Sequence, residues 1–232
     1  MGNIIIDRNT FDLSFDNVKN FISNQSYLSY YSVCAFHVDM NIEDDRYFGT
    51  PLMNVVFYQM LFNNKRIPTW QEFLEEYKIR YCKTIKSNKM IFTDNDPKHD
   101  YEFYEMSLDK KLIKAYISFL KEIHILSWFI DKNIDNIFYS LENDIAGFDI
   151  SIMNNNHLFG IKICPNTYKV NKFINIKKLI RNISNEDITV IGIKNNSDNY
   201  NKLGDTNVFH EGVLKFIYNY ILNTKSFDDI II

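Results

Sequence analysis

Gly147-Phe148-Asp149-Ile150-Ser151-Ile152-Met153, then Asn154-Asn155-Asn156-His157, then Leu158-Phe159-Gly160-Ile161-Lys162-Ile163-Cys164, is the stretch that decides the fold. Side chains alternate across a β-strand. In the first segment Phe148, Ile150 and Ile152 therefore take one face, and Asp149 with Ser151 takes the other. In the second, Phe159, Ile161 and Ile163 share a face, opposite Gly160, Lys162 and Cys164. Asparagine tolerates the positive φ of a tight hairpin turn, so the run of Asn joins the two strands. With the turn centred on Asn155-Asn156, Asp149 falls directly across from Lys162 on a polar face. A slip of one residue in either strand would destroy that pairing.

Working outward, the pattern predicts a helix capped by Ser107, with Leu112, Tyr116, Phe119, Ile123 and Trp128 on its apolar face, then a short strand over 137–141. After the hairpin, Pro165-Asn166-Thr167 breaks the third strand and a helix is expected over 171–183. Ile188-Thr189-Val190-Ile191-Gly192-Ile193 reads as a buried strand, and 206–224 as a closing helix. The order is helix, three strands with a hairpin, helix, strand. Two of the strands are joined too tightly for a crossover, so this is a mixed α/β (α+β) layered fold and not a doubly wound sheet. The first hundred residues read as mainly helical. Ser14 caps a helix through Val18, Phe21 and Ile22; Thr50-Pro51 opens a second; Thr69-Trp70-Gln71-Glu72 is a capping box opening a third. The polar stretch from Thr93 to Asp100 is the expected boundary, giving a helical lobe over 1–106 and a second unit over 107–232.

Composition limits the function classes. The 232 residues are 46% hydrophobic and 24% charged, which suits an ordinary globular chain and not a disordered one. The net charge of −3 means that any nucleic-acid contact must use locally gathered positive charge. Such a gathering exists: residues 151–206 carry 8 basic side chains against 4 acidic ones, while 135–150 carry Asp135, Glu142, Asp144 and Asp149 and no basic residue. Three scattered cysteines and five scattered histidines show no zinc-ligand spacing. With no signal-like start and no apolar run of spanning length, a cytoplasmic setting with no membrane contact is expected. The abundance of Asn, Ile, Lys, Tyr and Phe follows the codon bias of an AT-rich genome, so it is no signal for base stacking. Seven glycines leave little material for phosphate-cradling loops, and serine-hydrolase, P-loop, Rossmann and zinc-deaminase signatures are absent.

The order Gly147-Phe148-Asp149-Ile150 followed by Gly160-Ile161-Lys162-Ile163, on a hairpin flanked by helices, resembles the PD-(D/E)xK nuclease superfamily, type II restriction endonucleases in particular. The resemblance spans roughly 107–194. It implies a restriction-endonuclease-like core, cleavage of double-stranded DNA with Mg²⁺ (Mn²⁺ substituting), and a homodimer cutting a palindrome. Asp149 takes the place of the first metal-binding acid. With Lys162 as the catalytic lysine, the second acidic position is occupied by Gly160 and the bridging carbonyl belongs to Ile161. With the family's Gly-Ile-Gln-Ile-Lys pattern setting the register, Lys162 takes the Gln place, Cys164 the lysine place, and the carbonyl of Ile163 becomes the ligand. The missing carboxylate then comes from elsewhere or does not exist; Glu142 and Asp144, which precede the Asp149 strand, are its natural donors, and hard Mg²⁺ needs only one or two carboxylates besides water and phosphate. Lys162 would orient the attacking water, with Glu142 assisting as a catalytic carboxylate. Thr167, Lys169 and Lys172, opening the next helix, are candidates for a DNA phosphate. His157 and His210 read as structural. A catalytically degenerate relative that only binds nucleic acid or protein stands as the alternative, as does a structure-selective repair nuclease.

Overall fold

Asn155 and Asn156 both adopt positive φ, 49° and 62°, and this two-residue turn sets the register of the sheet. A computed structural model describes residues 13–35, 52–95, 101–134, 136–139, 148–164, 188–194, 197–224 and 228–232. Among them are seven α-helices: α1 (Phe15–Ser23), α2 (Leu28–Ala35), α3 (Met53–Asn64), α4 (Trp70–Arg80), α5 (Cys82–Asn95), α6 (Tyr101–Asp131) and α7 (Glu211–Asn223). The strands are β1 (Ile137–Phe138), β2 (Ile150–Asn154), β3 (His157–Cys164), β4 (Ile188–Lys194), β5 (Tyr200–Leu203), β6 (Thr206–Phe209) and β7 (Ile230–Ile231). A five-stranded mixed sheet runs β1-β2-β3-β4-β7, and β5-β6 form a separate two-stranded sheet. The fold is mixed α/β, as the strand order predicts. No described helix is long and apolar enough to cross a membrane.

Contacts divide the chain into two units that interleave in sequence. One comprises 1–21, 121–203 and 207–232; the other comprises 22–120 and 204–206. In the first unit β2 and β3 pair antiparallel, β3 and β4 parallel, and β4 and β7 parallel. Phe159 on β3 meets the ring of Tyr220 on α7, and Asn154 donates its side-chain amide to the carbonyl of Ile221 at 2.7 Å. Val213, Leu214, Ile217 and Ile221 line the buried stripe of α7. This repeat at i, i+1, i+4 and i+8 is the apolar face of an amphipathic helix. His210 caps that helix, accepting from the Val213 amide at its Nδ1 (3.2 Å).

Among the described residues of the second unit, the regular structure is helical apart from Thr206, which opens β6. Phe57 stacks on Phe119 at 4.5 Å, Phe73 on Tyr116, and the Tyr116 hydroxyl donates to the carbonyl of Pro68 at 2.8 Å. The Thr69 capping box is present, with the Glu72 carboxylate accepting from the Thr69 amide at 2.8 Å. Helix α2 carries no apolar stripe to announce it. Its first amides, of Tyr27 and Leu28, donate to the carboxylate of Asp205 at 2.9 and 2.8 Å, so a residue distant in sequence caps it. The adjoining Gly204 has φ +54°, and a Cβ there would lie 2.5 Å from the Ser23 carbonyl oxygen, so both conformation and space demand glycine.

Several local expectations are corrected. Ser107 does not cap a helix: α6 begins at Tyr101 and buries Ser107 within it. Thr93–Asn95 belong to α5 and not to a connection. Residues 206–209 form β6, and the closing helix starts only at Glu211. β2 starts at Ile150, later than expected, because the alternation breaks just before it. The expected helix over 171–183 lies outside the described residues.

Candidate functional site

β2 and β3 pair with Ile150 opposite Ile161, Ser151 opposite Gly160 and Asn154 opposite His157. That is the register the Asn turn and the two alternating patterns require. Continued by one residue, it sets Asp149 opposite Lys162. The Asp149 amide, however, donates to the carbonyl of Ile161 at 2.9 Å, one residue off the ladder. Two residues, Asp149 and Ile150, thus face a single Ile161, which is the pattern of a β-bulge. The bulge releases Phe148 from the face shared by Ile150 and Ile152. Phe148 packs instead with Ile188, Val190, Leu158 and Ile231. Its ring covers Gly160, where an added Cβ would meet Phe148 Cδ1 at 2.4 Å.

Two expectations change as a result. Phe148 lies on the opposite face from Ile150, and the face that holds Gly160 and Lys162 is not a polar one. Leu158, Gly160 and Lys162 align in register with Ile188, Val190 and Gly192 of β4, and Gly192 in turn with Ile231 of β7. Lys162 therefore stands at the end of an apolar row.

Asp149 is 5% exposed. Its Oδ1 accepts from the Lys162 ammonium, and its Oδ2 accepts from the Ile163 amide at 2.6 Å. A carboxylate buried to this degree costs free energy unless it is paired and hydrogen-bonded, and these two donors meet that need. The Lys162 side chain retains one-fifth of its exposure, so its stem lies on the apolar row while its head turns to Asp149. Ile163, expected to contribute its carbonyl, turns its N–H to Asp149. Cys164 ends β3 opposite Lys194. Glu142, Asp144, Thr167, Lys169 and Lys172 lie outside the described residues. Among the described residues no group of three or more His, Cys, Asp or Glu side chains is placed to hold a metal ion.

His157 is buried, with its Nε2 hydrogen-bonded to Thr189 Oγ1 at 2.9 Å, and serves to tie β3 to β4. Two buried carboxylates escaped the sequence reading. Glu122 accepts from the Tyr139 hydroxyl at 3.0 Å. Its signal is its phase: Leu126 and Phe129, four and seven residues on, are both fully buried. Asp109, in the other unit, likewise sits in phase with buried Leu112, Ile113 and Tyr116. It accepts from the Tyr30 hydroxyl at 2.6 Å and pairs with Lys78 at 2.5 Å. Burial, with Asp109 beside it, pushes the Tyr30 hydroxyl well above its ordinary pKa. A surface groove of about 410 Å³ opens here between Tyr30, Trp70, Glu75 and Lys78.

Compared with family models, with curated proteins and with solved structures, the chain matches none.

Proposed function

We propose that the β2–β3 hairpin carries a divalent-cation site of the PD-(D/E)xK kind and that the protein is a Mg²⁺-dependent endonuclease acting on double-stranded DNA, of the type II restriction class. The observation that supports this most directly is the meeting of Asp149 and Lys162 across the start of an antiparallel hairpin. The donor chemistry fits a hard cation. Asp149 is a buried carboxylate that already holds a positive charge, the Lys162 ammonium standing in for one. A single carboxylate with water and phosphate is within the usual coordination of Mg²⁺. Bound Mg²⁺ supplies Lewis-acid polarisation of the phosphodiester and acidifies water.

The chain's own residues divide the remaining work. Asp149 binds the cation. Lys162, on the neighbouring strand, neutralises charge gathering on the phosphate and orients the attacking water. Glu142 or Asp144 completes the acidic set, and Thr167, Lys169 and Lys172 contact the DNA backbone. A homodimer presents two such sites to a palindrome. The test is cleavage of supercoiled plasmid with Mg²⁺ or Mn²⁺ by wild type and by Asp149→Asn. We expect cleavage to 5′-phosphate ends, and its loss in D149N with the circular dichroism spectrum unchanged. Cutting that prefers branched or nicked DNA over intact duplex would reassign the same site to repair.

One observation favours a second reading, a catalytically degenerate nucleic-acid-binding module. The Phe148 ring fills the space above Gly160, where the resemblance places a second acidic side chain. Retarded migration of duplex DNA with no cleavage at any Mg²⁺ or Mn²⁺ concentration would decide for this reading.

A further inference from the structure

Asp149 has a cationic neighbour of its own. Lys162 Nζ donates to Oδ1 and the Ile163 amide to Oδ2, while the carboxylate keeps 5% of its exposure. The ammonium holds Oδ1 and a neutral amide holds Oδ2, so a metal ion taking either oxygen of Asp149 comes close to the Lys162 charge. Two cations held on one buried carboxylate repel each other strongly, whichever oxygen each takes. Nor can a second acid relieve the conflict from position 160, where the Phe148 ring leaves no room even for a Cβ.

We infer that Lys162 is an internal competitor for the cation, so that metal entry at Asp149 and release of the Lys162 ammonium are one coupled event. The inference rests on the cation-site reading above and specifies how that site is held closed. Its physical basis is population shift: a ligand that binds only the lysine-released state is weakened by the fraction of molecules in which Lys162 is bound. The released ammonium, on its flexible stem, can then turn to a phosphate. Lys162 would thus be a positioning and gating residue before it is a catalytic one.

Two measurements on the full chain test this. The first is Mn²⁺ binding, followed by the electron paramagnetic resonance of free Mn²⁺, in wild type, Lys162→Met and Asp149→Asn. We expect K162M to bind about tenfold more tightly than wild type, the loss of one charge-assisted hydrogen bond, and D149N to bind at background level. The second needs no Lys162 variant, and so does not depend on K162M folding without its ion pair. The side-chain ¹⁵Nζ and ¹³Cε resonances of Lys162 are followed during Mg²⁺ titration. They should move toward their positions in D149N, where the acceptor charge is gone. Mn²⁺ affinity no higher in K162M, or Lys162 resonances that stay in place while the metal binds, would overturn the coupling and leave the cation site standing. Absence of Mn²⁺ binding in both wild type and K162M up to millimolar concentration would overturn the cation site and the coupling with it.

Discussion

Gly160 and Phe148 show how one contact constrains a site. The backbone at Gly160 needs no special φ; what requires glycine is the ring lying on it, 2.4 Å from a would-be Cβ. Gly160→Ala should therefore force Phe148 to move and cost roughly 1–3 kcal/mol, as overpacking does. Chemical denaturation of G160A alone and in a Phe148→Leu background would measure this. The alanine should cost about 1 kcal/mol less once the ring is replaced, and equal costs in the two backgrounds would mean the ring is not the obstacle. His124 on α6 is a second residue with a measurable signature. It is 2% exposed, lies against the Phe15 ring, and its Nδ1 has no hydrogen-bond partner. Burial, aided by the nearby Lys19 charge, lowers its pKa from 6.5 to about 4. The folded state thus prefers the neutral imidazole. This stabilising preference is complete above pH 6.5 and is lost as the pH falls through 4, by as much as about 3 kcal/mol. In His124→Phe that component disappears, so the stability difference between wild type and H124F should change across pH 7 to 4 and level off at both ends. A constant difference would mean that His124 does not titrate on unfolding.

At the scale of elements, the hairpin was legible because its signal is local and doubly constrained. Two alternating strands and a run of Asn must agree in phase, and only one register satisfies both. The turn also gives a direct test. Asn156, at φ 62°, holds the second turn position, where glycine carries no steric penalty. Asn156→Gly should raise stability by about 0.5 kcal/mol in urea titrations, whereas a loss would indicate a side-chain contact of Asn156 that outweighs the backbone. The Thr69 capping box was legible for the same reason, since all its partners lie within four residues. What could not be read is what depends on distant partners. Helix α2 has its cap from Asp205, β7 has only two residues, and the bulge at Asp149 shows itself only once Ile161 is opposite. Strict alternation therefore put Phe148 on the wrong face while placing Asp149 and Lys162 together. Glu122 and Asp109 were missed for a related reason: a charged residue in phase with an apolar stripe looks exposed until its partner, Tyr139 or Tyr30, is known.

At the scale of the molecule, the sheet's integrity rests on a strand that no local pattern announces. The two units interleave along the chain, 1–21, 121–203 and 207–232 against 22–120 and 204–206, whereas composition shifts and linkers can only suggest cuts between consecutive segments. β7 illustrates how far the fold depends on closing such loops. It borders β4, which borders β3, so the strand bearing Lys162 is supported from beyond residue 228. Asp229 accepts from the Val190 amide at 2.7 Å, Ile232 exchanges bonds with Lys194 (2.7 Å) and Gly192 (2.8 Å), and Ile231 packs on Phe148, Ile188 and Val190. Removing 228–232 would leave those amides and the Gly192 carbonyl unpaired beside a strand whose Ile188, Val190, Ile191 and Ile193 are buried. Each buried group left unsatisfied costs about 1–3 kcal/mol, and an open apolar edge invites pairing with a second chain. The truncated protein should therefore unfold at lower temperature and self-associate in sedimentation experiments. Asp229→Ala, which removes one acceptor and keeps the strand, should be destabilised by about 1–3 kcal/mol without associating. If the truncated chain matched wild type in both stability and association, β7 would be an ornament on the sheet and the support it gives to the Lys162 strand would have to come from elsewhere.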